Sequence, residues 1–255
     1  MDDNIERPSY EPELTEPPTP APRAKYGTMQ RLWMMFTSPG AVFADIGIRP
    51  TWVMAMVILV ILGVGAQLLI MPHVDTEATI RARLEQRGSD LSDAQIDRMV
   101  EQGEKFGKFG PIITLVVAPI MWAIMAAVFF LMLKIVGSDA DYPRALSTTL
   151  YGYWPPTLVA LVLTSVLVQR LGKVSQEQLA NLVKANLGAF MPADAPAWLS
   201  AAGSTISIFN IWAVVLLIIG FSAVGKISRS KAAVVTLVPW ITWIVVKAAI
   251  AAVMA

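Results

Sequence analysis

The chain has 255 residues, of which 55% are hydrophobic and 15% are charged, and its formal net charge is +1. A soluble domain carries nearer a quarter charged residues, so the composition favours a membrane protein, and the small net charge argues against a nucleic-acid binder. The chain contains no cysteine and a single histidine, His73, which excludes disulfides and cysteine nucleophiles and disfavours a histidine metal site or catalytic triad.

Residues 1–26 form a polar, proline-rich tail that also carries four glutamates. Such a segment buries too little apolar surface to offset its chain entropy, so we expect it to be disordered. It lacks the apolar stretch of a secretory signal, which argues against a cleaved signal peptide. We therefore divide the chain into a disordered tail, 1–26, and a membrane domain, 27–255.

Residues 27–51 predict two short helices that meet at Ser38, Pro39 and Gly40, because serine suits a helix cap and proline suits a first turn. The apolar side chains of the two helices can share one face; they are Leu32, Met35, Phe36, Val42 and Phe43. With Arg31, Arg49 and Trp33 around that face, we interpret the segment as an interfacial amphipathic element lying on the membrane. The alternative is an ordinary buried elbow.

Five apolar stretches are long enough to cross a bilayer as helices, since roughly 20 residues span the hydrocarbon. They cover about residues 52–71, 111–136, 145–168, 205–224 and 232–253. Gln67, the only strongly polar residue of the first span, is expected to bond a neighbouring helix. Pro119 and the Pro155–Pro156 pair interrupt the second and third spans. These prolines indicate either a broken helix at a transport site or a packing irregularity, and the absence of an accompanying charge favours the latter.

Two polar loops lie between the spans. Residues 73–108 predict two short helices, the second opened by a capping box from Ser92 to Gln95. Residues 169–202 predict one amphipathic helix that begins after Ser175 and ends near Gly188. The acidic residues of the first loop alternate with arginines and lysines, which favours solvated ion pairs over a metal site.

Short turns at 137–144 and 224–231 join the remaining spans. The second contains Lys226, Arg229 and Lys231 and no acid, so the positive-inside tendency favours both turns and the N-terminus in the cytoplasm, with the two helical loops outside. Asp139 and Asp141 are interpreted as a solvated turn. Lys134 and Lys247 lie near span ends and are expected to extend their ammonium groups to the interface; the chain offers no acid at mid-membrane.

Four stretches of sequence resemble the Yip1-domain family of multi-pass membrane proteins, especially its bacterial members. They are LWMMFTSPGAVF at 32–43, YGYWPP at 151–156, FNIWAVVLLIIGF at 209–221, and the basic turn that leads to KAAVV at 231–235. The resemblance implies five spans, a cytoplasmic N-terminus and no catalytic residues. Eukaryotic members are implicated in vesicle traffic and contact small Rab-type GTPases. The long polar loops and cysteine-free composition here resemble bacterial members, for which such partners are not expected.

No nucleophile elbow, zinc-protease, phosphate-loop or dinucleotide motif occurs, so we predict no catalytic, cofactor-binding or metal residues. The predicted fold is an all-α, five-span membrane protein with an interfacial N-terminal segment and two outer helical loops. We expect a non-enzymatic protein of the bacterial inner membrane that organises membrane or binds partners; the alternative is a small permease or transporter subunit. Its expected partners are the lipid bilayer and a protein, or its own copies, bound through the cytoplasmic turns, with no nucleic acid. The candidate contact surfaces are the tail, 32–43, 139–144 and 226–231.

Overall fold

The structure, a computed structural model, describes residues 23–86, 88–89, 91–192 and 195–254. Within these residues the chain is helical, and β-pairing is confined to two isolated bridges, Val74 with Val174 and Asn186 with Ser207. The helices are α1 (Thr28–Met34), α2 (Pro39–Ile48), α3 (Trp52–Ile70), α4 (Thr76–Gln86), α5 (Asp93–Ile135), α6 (Tyr142–Leu171), α7 (Gln176–Asn181), α8 (Ala197–Thr205), α9 (Ile208–Gly225) and α10 (Arg229–Met254).

Five helices are long and apolar enough to cross a membrane: α3, α5, α6, α9 and α10. This confirms the predicted all-α membrane fold. Successive spans run in alternate directions, so the bundle has two ends. We call the end with the turns 136–141 and 226–228 the turn side, and the end with the chain segments 71–92 and 172–207 the loop side.

The centre of the bundle is the pair α6 and α9, which pack against each other. Helices α3 and α5 pack on α6, while α2 and α10 pack on α9. Leu150, Tyr151, Leu217 and Phe221 are fully buried where the central pair meets. By contrast, α5 and α10 expose most of their apolar residues at the periphery of the bundle, where they would face lipid.

The first polar loop differs from its prediction in one respect. Gln95 accepts a bond from the Ser92 amide at 3.0 Å, as the capping box requires, but the helix that follows does not stop before the second span. It continues as the 43-residue α5, through Pro111 and Pro119. Gly107 lies against the Met71 side chain, so packing against the end of α3 supports the helix through this region.

The second polar loop contains a shorter helix than predicted. Helix α7 has the expected Ser175–Gln178 capping box but ends at Asn181, and Lys184 has a positive φ of 47°. Here the chain turns so that the Leu187 amide can bond the Ile206 carbonyl at 3.0 Å. The unpredicted helix α8 follows and packs on α10, which moves the start of the fourth span to Ile208.

Candidate functional site

The turn side brings together two of the segments that the sequence marks as contact surfaces, and the end of α2 joins them. The Ser138 hydroxyl donates to the Gly225 carbonyl at 3.0 Å, and the Lys231 ammonium donates to the Val136 carbonyl at 3.0 Å. The Arg144 guanidinium donates from Nε to the Gly47 carbonyl at 2.8 Å. Both turns and the C-terminal end of helix α2 therefore form one continuous surface, which we call the turn-side surface.

The elbow of α1 and α2 forms part of this surface, and its inner face is buried. Leu32, Met35, Val42 and Phe43 are each no more than 4% exposed. These residues agree with the buried-elbow alternative, because they pack against the spans. The outer face retains exposed side chains that suit a membrane interface: Met29, Trp33 and Phe36.

A buried ion pair holds the two halves of the elbow together. The Arg31 guanidinium and the Asp45 carboxylate approach to 2.7 Å, and their side chains are 0% and 4% exposed. Arg31 also donates to the Arg49 carbonyl at 3.0 Å and to the Thr51 hydroxyl at 2.5 Å. Because a buried charge is costly unless it is paired and hydrogen-bonded, this set of partners is what allows arginine to be buried here.

Asp45 also receives the chain that enters the elbow. The backbone amide of Lys25 donates to its carboxylate at 2.6 Å, and that of Tyr26 donates at 3.3 Å. Burial alone would raise the pKa of Asp45, but these amides and the Arg31 guanidinium favour the carboxylate and hold that pKa below its usual range. The predicted tail up to residue 22 lies outside the described residues, so its disorder stays a prediction.

The buried pair is connected to the central helix of the bundle. The hydroxyls of Thr51 and Tyr151 lie 3.2 Å apart, and Tyr151 is fully buried within α6. The Trp154 indole donates to the Leu32 carbonyl at 3.1 Å. The elbow is thus attached to α6 at two points along the span, which makes the turn-side surface an extension of the core.

Sequence reasoning placed Arg31 beside the apolar face and missed Asp45. The available signal is that Asp45 is the single charged residue in PGAVFADIGI, 39–48. A lone acid in an otherwise apolar helix requires a buried partner, and the nearest upstream cation in the same element is Arg31. Helical periodicity does not reveal the pair, because its two residues are 14 positions apart and a proline turn separates their helices.

The solvent-facing part of the turn-side surface is cationic. Lys134, Lys226, Arg229 and Lys231 are exposed, and the acids Asp139 and Asp141 are also exposed. Arg144 pairs with Asp141 at 2.5 Å, which leaves an excess of positive charge. Such a surface can attract acidic protein segments or anionic headgroups. Among the described residues, no group of three or more histidine, cysteine or acidic side chains could hold a metal ion.

The prolines and the glutamine of the spans lie within continuous, packed helices. Thr114 donates to the Gln67 side chain at 2.8 Å, which confirms the predicted bond between neighbouring helices. Helix α6 is continuous through Pro155 and Pro156, and both prolines are buried. Three cavities, of about 550, 470 and 320 Å³, are lined by described residues, and none of them is lined by these two prolines or by Pro119.

Comparison with known proteins gives one match. The family model of the Yip1 domain matches residues 33–250, which include α2–α9 and nearly all of α10. No similar curated protein was found, and no similar solved structure was found. The match includes most of the elbow, both turns and all five candidate spans.

Proposed function

Because the chain belongs to the Yip1-domain family of multi-pass membrane proteins, we propose that it is a non-enzymatic membrane protein that binds a protein partner at the turn-side surface. The observation that supports this proposal is the convergence of both turns and the end of α2 on one face joined by hydrogen bonds. A preorganised face loses little conformational entropy on binding, which favours specific association. The exposed side chain of Ile48, which follows Gly47 at the end of α2, supplies an apolar anchor beside the turns.

The chemistry of this face suits a partner with an acidic segment. Four exposed cations surround the turns, while the two exposed acids lie on one turn. Opposite charge on the partner would guide association and set its orientation. The expected partner is therefore a protein with an acidic and aromatic or aliphatic patch near the membrane.

Site-specific photo-crosslinking in native membranes tests the proposal. Photoreactive residues at Ile48 and at Ser228 are expected to capture one protein in stoichiometric amount. The matched control is Val245, which is 60% exposed on α10 and should capture lipid. Capture of lipid alone at all three positions would contradict partner binding, and capture of the chain's own copies at Ile48 and Ser228 would replace the partner with self-association.

A small permease or transporter subunit is the second candidate. The 550 Å³ cavity favours it, because its lining includes Gln67, Arg83 and Gln176 and extends to Gly63 within α3. The buried Pro155 and Pro156 count against it, since they pack within a continuous helix.

Cysteine accessibility separates the two candidates, because the native chain has no cysteine. In a permease, Ala66→Cys on the cavity wall and Gly152→Cys in the centre of the bundle both become accessible to a charged thiol reagent during transport. In the partner-binding protein, Gly152→Cys stays protected and Ala66→Cys reacts from the loop side alone.

For the location we propose a bacterial inner membrane with the turn side in the cytoplasm. The cations of the short 224–231 segment support this orientation, since short segments near the membrane carry the positive-inside signal. Protease treatment of sphaeroplasts tests it with an epitope inserted after Ser228. The epitope is expected to survive, and its loss from intact sphaeroplasts would reverse the orientation.

A further inference from the structure

A groove at the periphery of the bundle takes no part in the proposed function. It has a volume of about 470 Å³ and lies between α5, α6, α9 and α10. Its walls are mainly apolar and aromatic; they include Trp122, Met125, Phe129, Tyr153, Trp240 and Trp243. All four helices are candidate spans, so the groove opens within the hydrocarbon region. We call it the α10 groove.

One face of α10 forms a wall of this groove. Thr236, Trp240 and Trp243 line it, and their spacings of four and three residues place them on the same side of a helix. Lys247 is the next residue of that series, one turn farther toward the loop side. The face therefore ends in a cation at the loop-side mouth of an aromatic groove.

Lys247 has polar neighbours but no described counter-ion. Its ammonium donates to the Ser204 hydroxyl at 3.0 Å and to the Thr205 hydroxyl at 3.1 Å. None of the ion pairs among the described residues involves Lys247. Two neutral hydroxyls satisfy two of its three N–H donors and leave the charge uncompensated. Since Thr205 itself lines the groove, the ammonium lies next to whatever occupies it.

A second donor in the groove also lacks a partner. The indole Nε1 of Trp240 is buried and has no hydrogen-bond acceptor within the described residues. Trp240 precedes Lys247 by seven residues, so the two lie about 10 Å apart along the helix axis. Because Nε1 is closed to an occupant of the groove, the Lys247 ammonium is the donor that requires an acceptor on the occupant.

The dimensions of the groove distinguish between occupants. A helix is about 10 Å across with its side chains, so roughly one helical turn would fill the whole volume. An extended hydrocarbon chain is much thinner and could run the length of the groove. The groove lies among membrane spans, where lipid acyl chains are abundant. The Lys247 ammonium, which has no described counter-ion, favours a negatively charged headgroup.

We propose that the α10 groove binds one anionic glycerophospholipid, with an acyl chain along the groove and the phosphate at Lys247. This site lies away from the turn-side surface and does not depend on the proposed partner. General contact with the bilayer would allow any lipid at this position, whereas the proposed site selects an anionic one.

Native mass spectrometry of the purified full chain tests the proposal. Delipidated protein is titrated with phosphatidylglycerol and, in parallel, with phosphatidylcholine. Wild-type protein is expected to bind one phosphatidylglycerol in preference to phosphatidylcholine. Lys247→Gln is expected to weaken phosphatidylglycerol binding about tenfold, the value of one charge-assisted hydrogen bond. The matched control is Lys108→Gln, which removes an exposed lysine on the loop side that does not line the groove and should leave that binding unchanged.

Two further variants test the groove itself. Val128→Trp fills it from α5 and is expected to abolish stoichiometric binding of both lipids. Trp240→Phe keeps the wall and is expected to leave binding unchanged, because the buried N–H group does not contact the occupant. Equal loss of binding in Lys247→Gln and Lys108→Gln would overturn the site, because it would mean general surface attraction. If the wild-type protein binds no lipid but forms a dimer, and Val128→Trp disrupts that dimer, the groove binds a second copy of the chain instead.

Discussion

The two ends of the bundle are held together by different interactions. On the turn side, the Arg31–Asp45 pair is 0% and 4% exposed and bonds to backbone and hydroxyl groups around it. On the loop side, the Arg81–Glu77 pair is 44% and 54% exposed on the surface of α4. A buried pair fixes geometry because neither partner can be removed without leaving a charge, whereas water readily replaces an exposed one.

The loop side is joined by more exposed contacts. The Asp75 amide bonds the Val174 carbonyl at 2.8 Å, and Arg83 donates to the Gln176 side chain at 2.6 Å. The cavity of about 550 Å³ lies under these contacts, between α3, α4 and α7. We therefore expect the turn side to be more rigid than the loop side.

Breaking the buried pair is expected to have the largest effect. Asp45→Asn leaves the Arg31 guanidinium buried without a counter-charge and should cost roughly 3–5 kcal/mol of unfolding free energy. Unfolding of the full chain in mixed micelles measures the loss. The double variant Arg31→Met/Asp45→Leu should recover much of it, because no unpaired charge remains. Equal stability of wild type and Asp45→Asn would show that the pair does not hold the elbow.

Acidification is expected to release the same elbow to a smaller extent. The pKa of folded Asp45 lies below the ordinary value of 3.8, so its contribution is complete above that value and is lost as the pH falls through the folded pKa. Protease cleavage near Gly27 should therefore be unchanged from pH 7 to 5 and should rise below about pH 4 in a micelle assay with an acid protease. Cleavage in Arg31→Met/Asp45→Leu should lack this Asp45-dependent rise.

Glycine substitutions test whether the side chains are packed more tightly on the turn side than on the loop side. A Cβ at Gly220 would lie 2.6 Å from Thr148 and 2.8 Å from Phe43, both fully buried, so Gly220→Ala should cost about 1–3 kcal/mol. At Gly107 on the loop side the obstacle is the flexible end of Met71, which is 38% exposed. Alanine there should be neutral or slightly stabilising, since it favours the helix. Similar losses from both variants in the micelle unfolding assay would contradict the contrast.

Removing the exposed pair is expected to have the smallest effect. Glu77→Gln should leave the unfolding transition unchanged, because solvent screens the charge and Arg81 also bonds Asp93 at 3.4 Å. The matched comparison is Asp45→Asn in the same assay. A loss from Glu77→Gln as large as that from Asp45→Asn would mean that the loop side is as rigid as the turn side.

Much of the helical pattern is predictable from the sequence. The first span was predicted at about 52–71 and is α3, Trp52–Ile70; the capping residues Ser92 and Ser175 begin α5 and α7 as expected. The length of α5 was not predictable from periodicity, because glycines and prolines normally end a helix. In this bundle Gly103, Gly107 and Gly110 instead make room for side chains of neighbouring helices.

The candidate sites were less predictable than the spans. The turns 139–144 and 226–231 were identified from charge and position, but their union with α2 depends on bonds such as Ser138 to Gly225, which are 87 residues apart. The α10 groove was not predicted at all. Lys247 alone indicates a lysine near a span end, and its bond to Thr205 requires α8 and α10 to be packed together.

The sequence by itself determined the class of the protein, its five membrane-crossing helices and the capping of its loops. These follow from local causes: in hydrocarbon each apolar run must satisfy its own backbone groups, which only a helix of about 20 residues does. The tertiary structure alone decided which charges are buried, which helices are central and where a groove opens. Those outcomes depend on side chains brought together from distant parts of the chain, and Arg31, Asp45 and Lys247 acquire their roles from those neighbours.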